Sequence, residues 1–413
     1  MDKDLKLAIC ATIRIREEND YALMFNSDTY RILKISKAVF NILSKIDQEH
    51  FSYNDFVAAG MNDEGYVYDF FTKLCEDCVV EYYNAEKKYV KRVFELRSEK
   101  LLFQAPNMVW WDITAYCNLG CYYCYSAAGK KSADELSFEE AINIISELNN
   151  MGIFYIFFLG GEPFSKEGFM NIVKHAVSLG IAVMVSTNGY FVNKEMIASL
   201  NIFTNVRVSL DSGVRETHNR IRGNDTSYDI ALEALDIFRL AGVKNLGINC
   251  TVGQDNLNEL KDVFAVAKRF KCNQIQFIPI AKSGRGLECG KTLNDSDYII
   301  MRNEIAEINT MQLTDSEQDA IYIQAPSDNT DESIVLDAQK YADIIGCAAG
   351  KTCAAIYDNG DIGYCLMYRE PIGTIRTKSF SSIWSEQQML NKTKDELCKG
   401  CINLNCYGSC KVK

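Results

Sequence analysis

The chain reads Trp110-Trp111-Asp112-Ile113-Thr114-Ala115-Tyr116-Cys117-Asn118-Leu119-Gly120-Cys121-Tyr122-Tyr123-Cys124-Tyr125, where three cysteines follow a strand-like run at the spacing Cys-x3-Cys-x2-Cys. A closed zinc or iron–sulfur site takes four protein ligands, so three thiolates leave one coordination position of the metal free. An open position is where a cofactor or a substrate can bind and react. The stretch therefore predicts a catalytic [4Fe–4S] cluster rather than a structural metal.

The same stretch resembles the cluster loop of the radical S-adenosylmethionine (SAM) enzymes. In that family the three cysteines, which here are Cys117, Cys121 and Cys124, are cluster ligands, and the fourth iron takes the amino and carboxylate groups of SAM. The aromatic residue before the third cysteine packs on the adenine, and here it is Tyr123. The alternative is a zinc loop or three unrelated thiols, which the motifs farther along the chain disfavour.

Length and composition limit the class of protein. The 413 residues are enough for two or three domains with their own cores, and 47% of them are hydrophobic, as in a globular protein. No stretch of about 18 apolar residues lacks charges, so the sequence predicts no membrane span. The start, Met1–Lys6, lacks a signal-peptide pattern, which leads us to expect a cytoplasmic protein. The net charge of −11 disfavours nucleic acid as a partner, because that partner needs a basic surface.

The 16 cysteines are unusually many for a cytoplasmic chain, in which disulfides are not expected. Seven of them lie between Cys347 and Cys410, and such clustering indicates metal binding. The chain has only 3 histidines, so few zinc sites with both cysteine and histidine ligands are possible.

Residues 1–90 are expected to form a small module of strands followed by helices. Hydrophobic patterning predicts strands at 21–26 and 30–35, and helices that begin at Ser36, near Ser52 and at about residue 67. This order resembles the winged-helix domain called the RiPP recognition element (PqqD-like), which binds the leader of ribosomally made precursor peptides. The resemblance implies β-augmentation, in which the leader adds a strand to an exposed sheet edge. A generic winged-helix accessory domain is the alternative.

Strand and helix patterns alternate from about residue 108 onward, which predicts an α/β fold with a parallel sheet buried on both faces. Six such units resemble the partial (β/α)6 barrel, of the TIM type, of the radical SAM family, and active-site residues should lie at the carboxyl ends of its strands. We expect the barrel at 108–280 after a linker at 91–107, a bridging region at 281–340 and a cysteine-rich domain at 341–413. The expected strands are 108–113, 154–159, 181–186, 205–210, 245–250 and 274–279, and the expected helices are 137–150, 166–179, 193–200, 227–241 and 256–269.

Polar motifs follow three of these strands. Gly160-Gly161-Glu162-Pro163 resembles the family motif that holds the SAM amino group, and its glycines would let free amides and carbonyls approach a zwitterion. By the same resemblance, Ser186 and Asn188 would meet the SAM ribose, and Ser209 with an arginine would hold the SAM carboxylate. The spacing leaves Arg220 open as an alternative to Arg222, which we take as the candidate.

No side chain stands out as a catalytic acid or base. Asp112, Asp211 and Glu162 lie near the expected site, but only Glu162 has a role implied by a motif. His218 is expected to pack within a loop rather than to transfer protons.

Seven cysteines close the chain at the spacings Cys347-x5-Cys353-x11-Cys365 and Cys398-x2-Cys401-x4-Cys406-x3-Cys410. This tail resembles the SPASM domain, which carries auxiliary [4Fe–4S] clusters in peptide-modifying radical SAM enzymes. The resemblance implies two ligand sets: Cys347, Cys353, Cys365 and Cys410 for the first auxiliary cluster, and Cys398, Cys401 and Cys406 for the second. The usual fourth ligand of the second cluster lies beyond the Cys410 position. Either another residue such as Cys289 supplies it, or the site stays open, or the second cluster is absent. A small zinc knuckle is the alternative.

These resemblances together imply a radical SAM peptide maturase. A 5′-deoxyadenosyl radical would abstract a hydrogen atom from a precursor peptide, with electrons from a reductant such as flavodoxin or ferredoxin. A thioether cross-link is the expected product, and carbon–carbon cross-linking and epimerisation are alternatives. An anaerobic sulfatase maturase is a further alternative, disfavoured because Leu366 stands where those enzymes have an aspartate. A non-catalytic electron-transfer or peptide-binding protein is the alternative from another class.

Overall fold

A computed structural model describes residues 6–10, 13–18, 20–26, 31–45, 50–52, 54–55, 74, 80–82, 93–94, 104–312, 320–325, 349–350, 352–367 and 369–389. Within these ranges the strands form three sheets, of two, four and ten strands. The two smaller sheets belong to the N-terminal part of the chain, and the ten-stranded sheet forms the body of the protein.

The described residues of the N-terminal part form mainly antiparallel strands, followed by the helix α1. Its four-stranded sheet has the order β4-β3-β2-β6, and β1 pairs separately with β5. The bounds are β1 (Leu7–Ile9), β2 (Ile13–Glu17), β3 (Tyr21–Asn26), β4 (Arg31–Ser36), α1 (Lys37–Lys45), β5 (Val80–Tyr82) and β6 (Val93–Phe94). The predicted strand pair and the helix after Ser36 are confirmed, and the Ser36 hydroxyl accepts a hydrogen bond from the Val39 amide at 3.2 Å.

Several of these strands were not predicted. β6 lies inside the segment 91–107 that was expected to be a linker, and it pairs with β2 in parallel. β5 and β6 are only 3 and 2 residues long, so their local sequences carry little signal and their pairing partners stabilise them. The helices expected near Ser52 and at about residue 67 lie largely outside the described residues. The winged-helix assignment and the domain boundaries therefore remain predictions.

The centre of the large sheet is the predicted partial barrel. Six neighbouring strands run parallel in chain order. They are β7 (Met108–Asp112), β8 (Tyr155–Leu159), β9 (Ala182–Thr187), β10 (Asn205–Ser209), β11 (Leu246–Val252) and β12 (Gln274–Pro279). Alternate residues such as Val109 and Trp111 face outward into one continuous apolar core.

Helices cover the outer face of this sheet. They are α2 (Phe138–Asn150), α3 (Phe169–Ser178), α4 (Ile197–Leu200), α5 (Arg215–Arg222), α6 (Ser227–Leu240) and α7 (Leu260–Arg269). Ser137 begins α2 with a capping box, since its hydroxyl accepts from the Glu140 amide and the Glu140 carboxylate accepts from the Ser137 amide. Within the ranges given above, none of the helices is long and apolar enough to cross a bilayer. α5 was not predicted, and it corrects the expectation that His218 lies in a loop.

The sheet extends beyond the six predicted strands on both sides. The region 281–340 contains α8 (Asp295–Met311) and β13 (Tyr322–Gln324), and β13 pairs in parallel with β12. The described part of the predicted bridging region therefore extends the barrel sheet, and its boundaries remain a prediction. The helix buries only Met301 and Ile308, so its sequence reads as polar although it packs on the barrel.

At the opposite edge, the cysteine-rich domain joins the same sheet. β14 (Cys353–Ile356) pairs in parallel with β7, and the sheet continues antiparallel through β15 (Asp361–Gly363) and β16 (Gly373–Thr374) before α9 (Phe380–Met389). The first part of this domain is therefore continuous with the barrel.

The four-stranded sheet is fixed to the amino ends of the barrel strands through a buried ion pair. The Arg16 Nε donates to Glu18 Oε1 at 2.9 Å, Nη1 to the Pro106 carbonyl at 2.9 Å and Nη2 to Asn107 Oδ1 at 2.7 Å. The Gln104 amide donates to the other oxygen of Glu18 at 2.8 Å. Every nitrogen of this guanidinium thus has an acceptor, as a buried charge requires.

Apolar contacts reinforce this attachment. Leu23 and Phe25 of β3 pack against Phe154 and Ala182 at the amino ends of β8 and β9. The rings of Phe25 and Phe154 stack with centroids 5.2 Å apart. The N-terminal sheet and the barrel therefore share a buried interface.

Candidate active site at the carboxyl ends of the strands

The three motif cysteines lie on the loop that follows β7, at the carboxyl end of the barrel. This loop folds back on itself, because the Cys117 amide donates to the Gly129 carbonyl and the Gly129 amide donates to the Ala115 carbonyl, both at 3.0 Å. Inside it, the Cys124 amide donates to the Cys121 carbonyl at 3.3 Å. The backbone therefore holds all three cysteines on one closed loop, which we call the cysteine loop (residues 113–129).

The three thiols are near enough to affect one another. Burial raises the pKa of Cys117 to about 11, and the charges of Glu162, Cys121 and Cys124 raise it as well. Thiolates here need a positive partner, which a metal supplies. In the part of the chain that the structure describes, no three His, Cys, Asp or Glu side chains are placed to share one metal ion. A four-iron cluster has a different requirement, because each cysteine binds a separate iron and the thiols then lie farther apart.

The glycines after β8 let that strand end approach the cysteine loop. A Cβ on Gly161 would lie 1.9 Å from the Tyr116 carbonyl oxygen, and one on Gly160 would lie 2.5 Å from the Thr114 oxygen. Gly160 also has a φ of 117°, which disfavours a side chain. The Gly161 amide donates to Thr114 O at 2.7 Å, and the Glu162 amide to Tyr116 O at 2.8 Å. These amides are therefore bonded to the loop, which corrects the expectation that they are free for a ligand.

Glu162 links the ends of β8 and β9. Its carboxylate is fully buried and accepts from Thr187 Oγ1 at 2.6 Å, from the Asn188 amide at 2.7 Å and from the Phe164 amide at 3.1 Å. Burial raises its pKa to about 7, and those three hydrogen bonds act in the opposite direction. Glu162 thereby fixes Asn188, whose Nδ2 donates to Asn118 Oδ1 at 3.0 Å and lies 3.7 Å from the Cys117 sulfur.

A row of polar side chains continues along the next strand ends. Ser186 Oγ accepts from Asn249 Nδ2 at 3.0 Å, and Ser209 is paired with Asn249 in the register of β10 and β11. All three face the inner side of the sheet. Asn249 was not among the predicted residues, because asparagine in the middle of an apolar strand has no motif to mark it.

Arg222 reaches the site in a buried pair with Asp211. Its Nη2 donates to Asp211 Oδ1 at 2.9 Å, and its Nε lies 2.7 Å from Oδ2. Its Nη1 is 3.8 Å from the Cys121 sulfur, and its guanidinium carbon is 5.6 Å from the centre of the Tyr123 ring. Tyr123 in turn donates its hydroxyl to Asp211 Oδ2 at 2.7 Å. The structure thus brings together Cys121, Tyr123 and Arg222, with Asp211 as the group that orients the last two.

Arg220 and Arg222, the two alternatives for the arginine that would hold the SAM carboxylate, differ in their exposure to solvent. Arg220 is exposed on α5, whereas Arg222 is buried, so the structure favours Arg222.

His218 is buried, and its Nδ1 accepts from the Asp211 amide at 3.1 Å. Burial, with the charge of Arg222, lowers the pKa of His218 to about 4, so this imidazole is neutral and supports the chain rather than transferring protons.

Asp112, at the end of β7, connects the cysteine loop to the cysteine-rich domain. It accepts from the Tyr125 hydroxyl at 2.8 Å and forms an ion pair with Arg369. Arg369 also lies over the Tyr357 ring, 4.4 Å from its centre. Burial raises the pKa of Asp112, and the charge of Arg369 opposes that rise. Sequence reasoning missed this connection because Arg369 is distant in the chain and belongs to no motif.

Only two of the predicted auxiliary ligands lie in the described residues. Cys353 begins β14 and Cys365 follows the end of β15, so the antiparallel pairing of these strands puts both cysteines at the same end of the pair. Cys347, Cys398, Cys401, Cys406 and Cys410 lie outside the described residues, so their predicted roles remain predictions. Cys289 is described, and its thiol lies 3.4 Å from the Gly286 carbonyl oxygen.

A loop of three cysteines at the carboxyl end of a parallel barrel, ringed by polar strand ends, defines an enzyme whose chemistry depends on a metal cluster. Residues 111–267 match the family model described as the Radical SAM superfamily, and residues 347–403 match SPASM, described as an iron–sulfur cluster-binding domain. The chain therefore carries a radical SAM domain and a SPASM domain.

Curated relatives and solved structures agree with this assignment. The chain is 28% identical over 322 residues to the mycofactocin maturase MftC of Mycobacterium ulcerans, covering 74% of this chain and 82% of that protein. It is 26% identical over 300 residues to an AdoMet-dependent heme synthase of Methanosarcina barkeri, covering 70% and 85%.

Two of the solved structures that share the fold of this chain have a peptide bound. Streptococcus suis SuiB bound to its precursor peptide SuiA superposes with a TM-score of 0.72 at 15% identity, over 98% of this chain and 93% of that one. The enzyme anSMEcpe with bound AdoMet and the Cp18Cys peptide gives 0.54 at 19% identity, over 74% and 87%.

The family's cofactors are [4Fe–4S] clusters and SAM, and the site has the chemistry to hold them. Three thiols on one closed loop suit a cluster with one open iron. Two buried polar atoms at the same end, Asn118 Nδ2 and Asn249 Oδ1, have no hydrogen-bond partner among the described residues. Such atoms are costly unless a ligand meets them, and SAM offers a carboxylate, an amine and hydroxyls.

Proposed function

We propose that this enzyme is a maturase that cross-links a ribosomally made precursor peptide, with a thioether as the product class to test first. The observation that carries the proposal is the N-terminal sheet, which is held on the barrel by the buried Arg16–Glu18 pair and the Phe25–Phe154 stack. A peptide held on that sheet would stay in one geometry relative to the cysteine loop. The likeness to peptide-bound SuiB spans this module, since it covers 98% of the chain.

The roles of the site residues follow from their contacts. Cys117, Cys121 and Cys124 would hold the cluster, and the Tyr123 ring, fixed by its bond to Asp211, would carry the adenine. When bound, the cluster and SAM supply a 5′-deoxyadenosyl radical that abstracts a hydrogen atom from the substrate. A flavodoxin or ferredoxin would supply electrons.

The remaining SAM contacts come from the strand ends. Arg222 would meet the carboxylate through Nη1, the nitrogen that faces the Cys121 sulfur rather than Asp211, with Ser209 beside it. Asn188 and Ser186 would face the ribose, and the backbone of Gly160–Glu162 would meet the amino group.

Incubation with SAM and dithionite under anaerobic conditions tests the enzyme class. We expect 5′-deoxyadenosine from the intact protein and none from Cys124→Ala, while Cys272→Ala, which changes a cysteine of the outer core, serves as the matched control. Iron analysis tests the number of clusters in the cysteine-rich tail. About twelve irons per chain would indicate two auxiliary clusters, and about eight would indicate only one.

Coexpression with the short peptide encoded next to this chain, followed by tandem mass spectrometry, tests the product. A loss of two hydrogens per link is expected for a thioether or carbon–carbon bond, and the fragment pattern distinguishes the two. An unchanged mass with altered stereochemistry would replace cross-linking by epimerisation. The sulfatase-maturase alternative lacks its catalytic base, because Leu366 stands in place of the expected aspartate; Leu366 is buried in an apolar cluster with Ala355 and Tyr357.

We further propose that the leader adds a strand to β4, the edge of the N-terminal sheet opposite β6. A photoreactive amino acid at Leu33 should cross-link to the leader, and the same group at the exposed Leu240 should not. Equal cross-linking at both positions would contradict this placement.

Porphyrin chemistry is the second candidate, because the match to the heme synthase covers 85% of that protein. That match covers 70% of this chain, close to the 74% covered by the match to MftC, whereas the structural likeness to SuiB covers 98%. Incubation with Fe-coproporphyrin III, followed by absorption spectroscopy, distinguishes porphyrin chemistry from peptide maturation. Turnover of the porphyrin without a mass change in the peptide would overturn the maturase proposal.

A further inference from the structure

We propose that Arg285 is a positioning residue for the cysteine loop and that its guanidinium supplies the uncompensated positive charge beside the cluster. Arg285 lies in the segment 283–286, at the start of the region 281–340 that was expected to bridge two domains. The inference rests on the radical SAM assignment and not on the peptide substrate.

Arg285 bonds the cysteine loop at three carbonyl groups. Its amide donates to Cys124 O at 2.9 Å, its Nε to Cys121 O at 2.8 Å and its Nη1 to Ala128 O at 2.8 Å. Two of these carbonyls belong to predicted cluster ligands. One side chain therefore spans the loop from its second cysteine to a point just past its third.

Ser283 and Gly284, which precede Arg285, hold its segment against the cysteine loop. Gly284 has a φ of 54°, and a Cβ there would lie 2.4 Å from the carbonyl oxygens of both Cys124 and Tyr125. Only glycine permits that approach. Ser283 Oγ lies 3.1 Å from Tyr125 O and 2.9 Å from Met367 O, so the same segment also reaches the cysteine-rich domain. Segment 283–286 thus clamps the cysteine loop between the barrel and that domain.

The charges of the two arginines near the cysteines differ. Arg222 is paired with Asp211, so the pair adds little net charge. Arg285, within the ranges that the structure covers, faces carbonyl oxygens and forms no ion pair. A cluster held by three thiolates is negatively charged, and reduction makes it more so. A fixed positive charge beside it favours the reduced state.

Two substitutions separate charge from positioning. Arg285→Gln removes both, whereas Arg285→Lys keeps the charge but loses the fork that reaches two carbonyls at once. Lys282→Gln is the matched control, because it removes the same charge from an exposed side chain three residues away. The reconstituted full-length proteins are compared by redox titration followed by electron paramagnetic resonance, and the metal-free proteins by hydrogen–deuterium exchange over residues 113–129.

Arg285→Gln should shift the cluster potential to more negative values and raise amide exchange in the loop about tenfold or more. Arg285→Lys should raise exchange similarly but keep the potential near that of the parent protein, and Lys282→Gln should change neither. Equal potential shifts in the Gln and Lys variants would reject the charge role. Unchanged exchange in both would reject the clamp. Neither measurement needs a peptide, so either result leaves the maturase proposal to its own test.

Discussion

The two ends of the barrel each bury an arginine–carboxylate pair, and the two pairs are built differently. At the amino ends, every nitrogen of Arg16 donates a hydrogen bond within the protein. At the carboxyl ends, Arg222 faces Asp211 with Nε and Nη2, whereas its Nη1 has only the Cys121 sulfur, at 3.8 Å, as an acceptor among the described residues. A fully satisfied pair joins two parts of the chain, while an incompletely satisfied one keeps a donor for a ligand.

Their carboxylates differ in the same way. Glu18 accepts from Arg16 and the Gln104 amide, whereas Asp211 accepts from Arg222, from the Tyr123 hydroxyl and from the Thr251 amide at 2.9 Å. Asp211 therefore keeps more of its support if its arginine is lost. The comparison suggests that the amino-end pair matters for stability and the carboxyl-end pair for binding.

Arg16→Met should give the largest loss of stability, about 3–5 kcal/mol in the free energy of unfolding, because Glu18 would remain buried without its counter-charge. Urea unfolding of the metal-free protein measures it. The double variant Arg16→Met/Glu18→Gln should recover part of the loss, because the amide still accepts from Gln104 without carrying a charge. A loss below about 1 kcal/mol in the single variant would mean that this pair does not hold the two parts together.

Arg222→Met should cost less stability, about 2–3 kcal/mol, since Asp211 keeps two other donors. Its larger effect should be on SAM: we expect weaker binding, measured by calorimetry, and little 5′-deoxyadenosine. Arg220→Gln, on the exposed side of the same helix, should leave both unchanged. Normal SAM binding by Arg222→Met would remove the arginine from the binding site.

His218 should make the carboxyl end sensitive to acid. Its pKa is lowered to about 4 in the folded protein, whereas an unfolded histidine titrates near 6.5, so protons bind to the unfolded chain first. Its contribution to stability is present above pH 6.5 and is lost as the pH falls toward 4. Between pH 7 and pH 5 the parent protein should lose about 2 kcal/mol more than His218→Gln, measured by urea unfolding of the metal-free proteins. Parallel pH profiles would contradict this.

Tyr123→Phe should have the smallest effect, about 1 kcal/mol, because it removes one hydrogen bond to Asp211 but keeps the ring. SAM affinity should change little. Tyr123→Ala, which also removes the ring, should weaken SAM binding clearly. If Phe and Ala weaken it equally, the hydroxyl rather than the ring makes the contact.

The sequence predicted the parts of the site that lie close together in the chain. The cysteine spacing, Gly160–Glu162 and the strand ends at Ser186 and Ser209 all fell where the barrel puts them. The same reasoning missed Asp211 as the partner of Arg222 and Asn249 as the partner of Ser186, because neither pairing follows from local spacing. It also gave 283–286 no role beyond the expected bridging region 281–340, although this segment contacts the cysteine loop.

The sequence by itself determined the open metal site and the parallel sheet, since three cysteines on one loop and alternating strands and helices are visible in it, and the class of enzyme followed from the resemblance of these motifs to the radical SAM family. The tertiary structure decided what those patterns contact. It bonded the amides of Gly161 and Glu162 to the cysteine loop rather than leaving them for a ligand, and it joined β13 and β14 to the barrel sheet. The physical reason is that hydrogen bonds and ion pairs between distant segments depend on register and packing, which no short stretch of sequence contains.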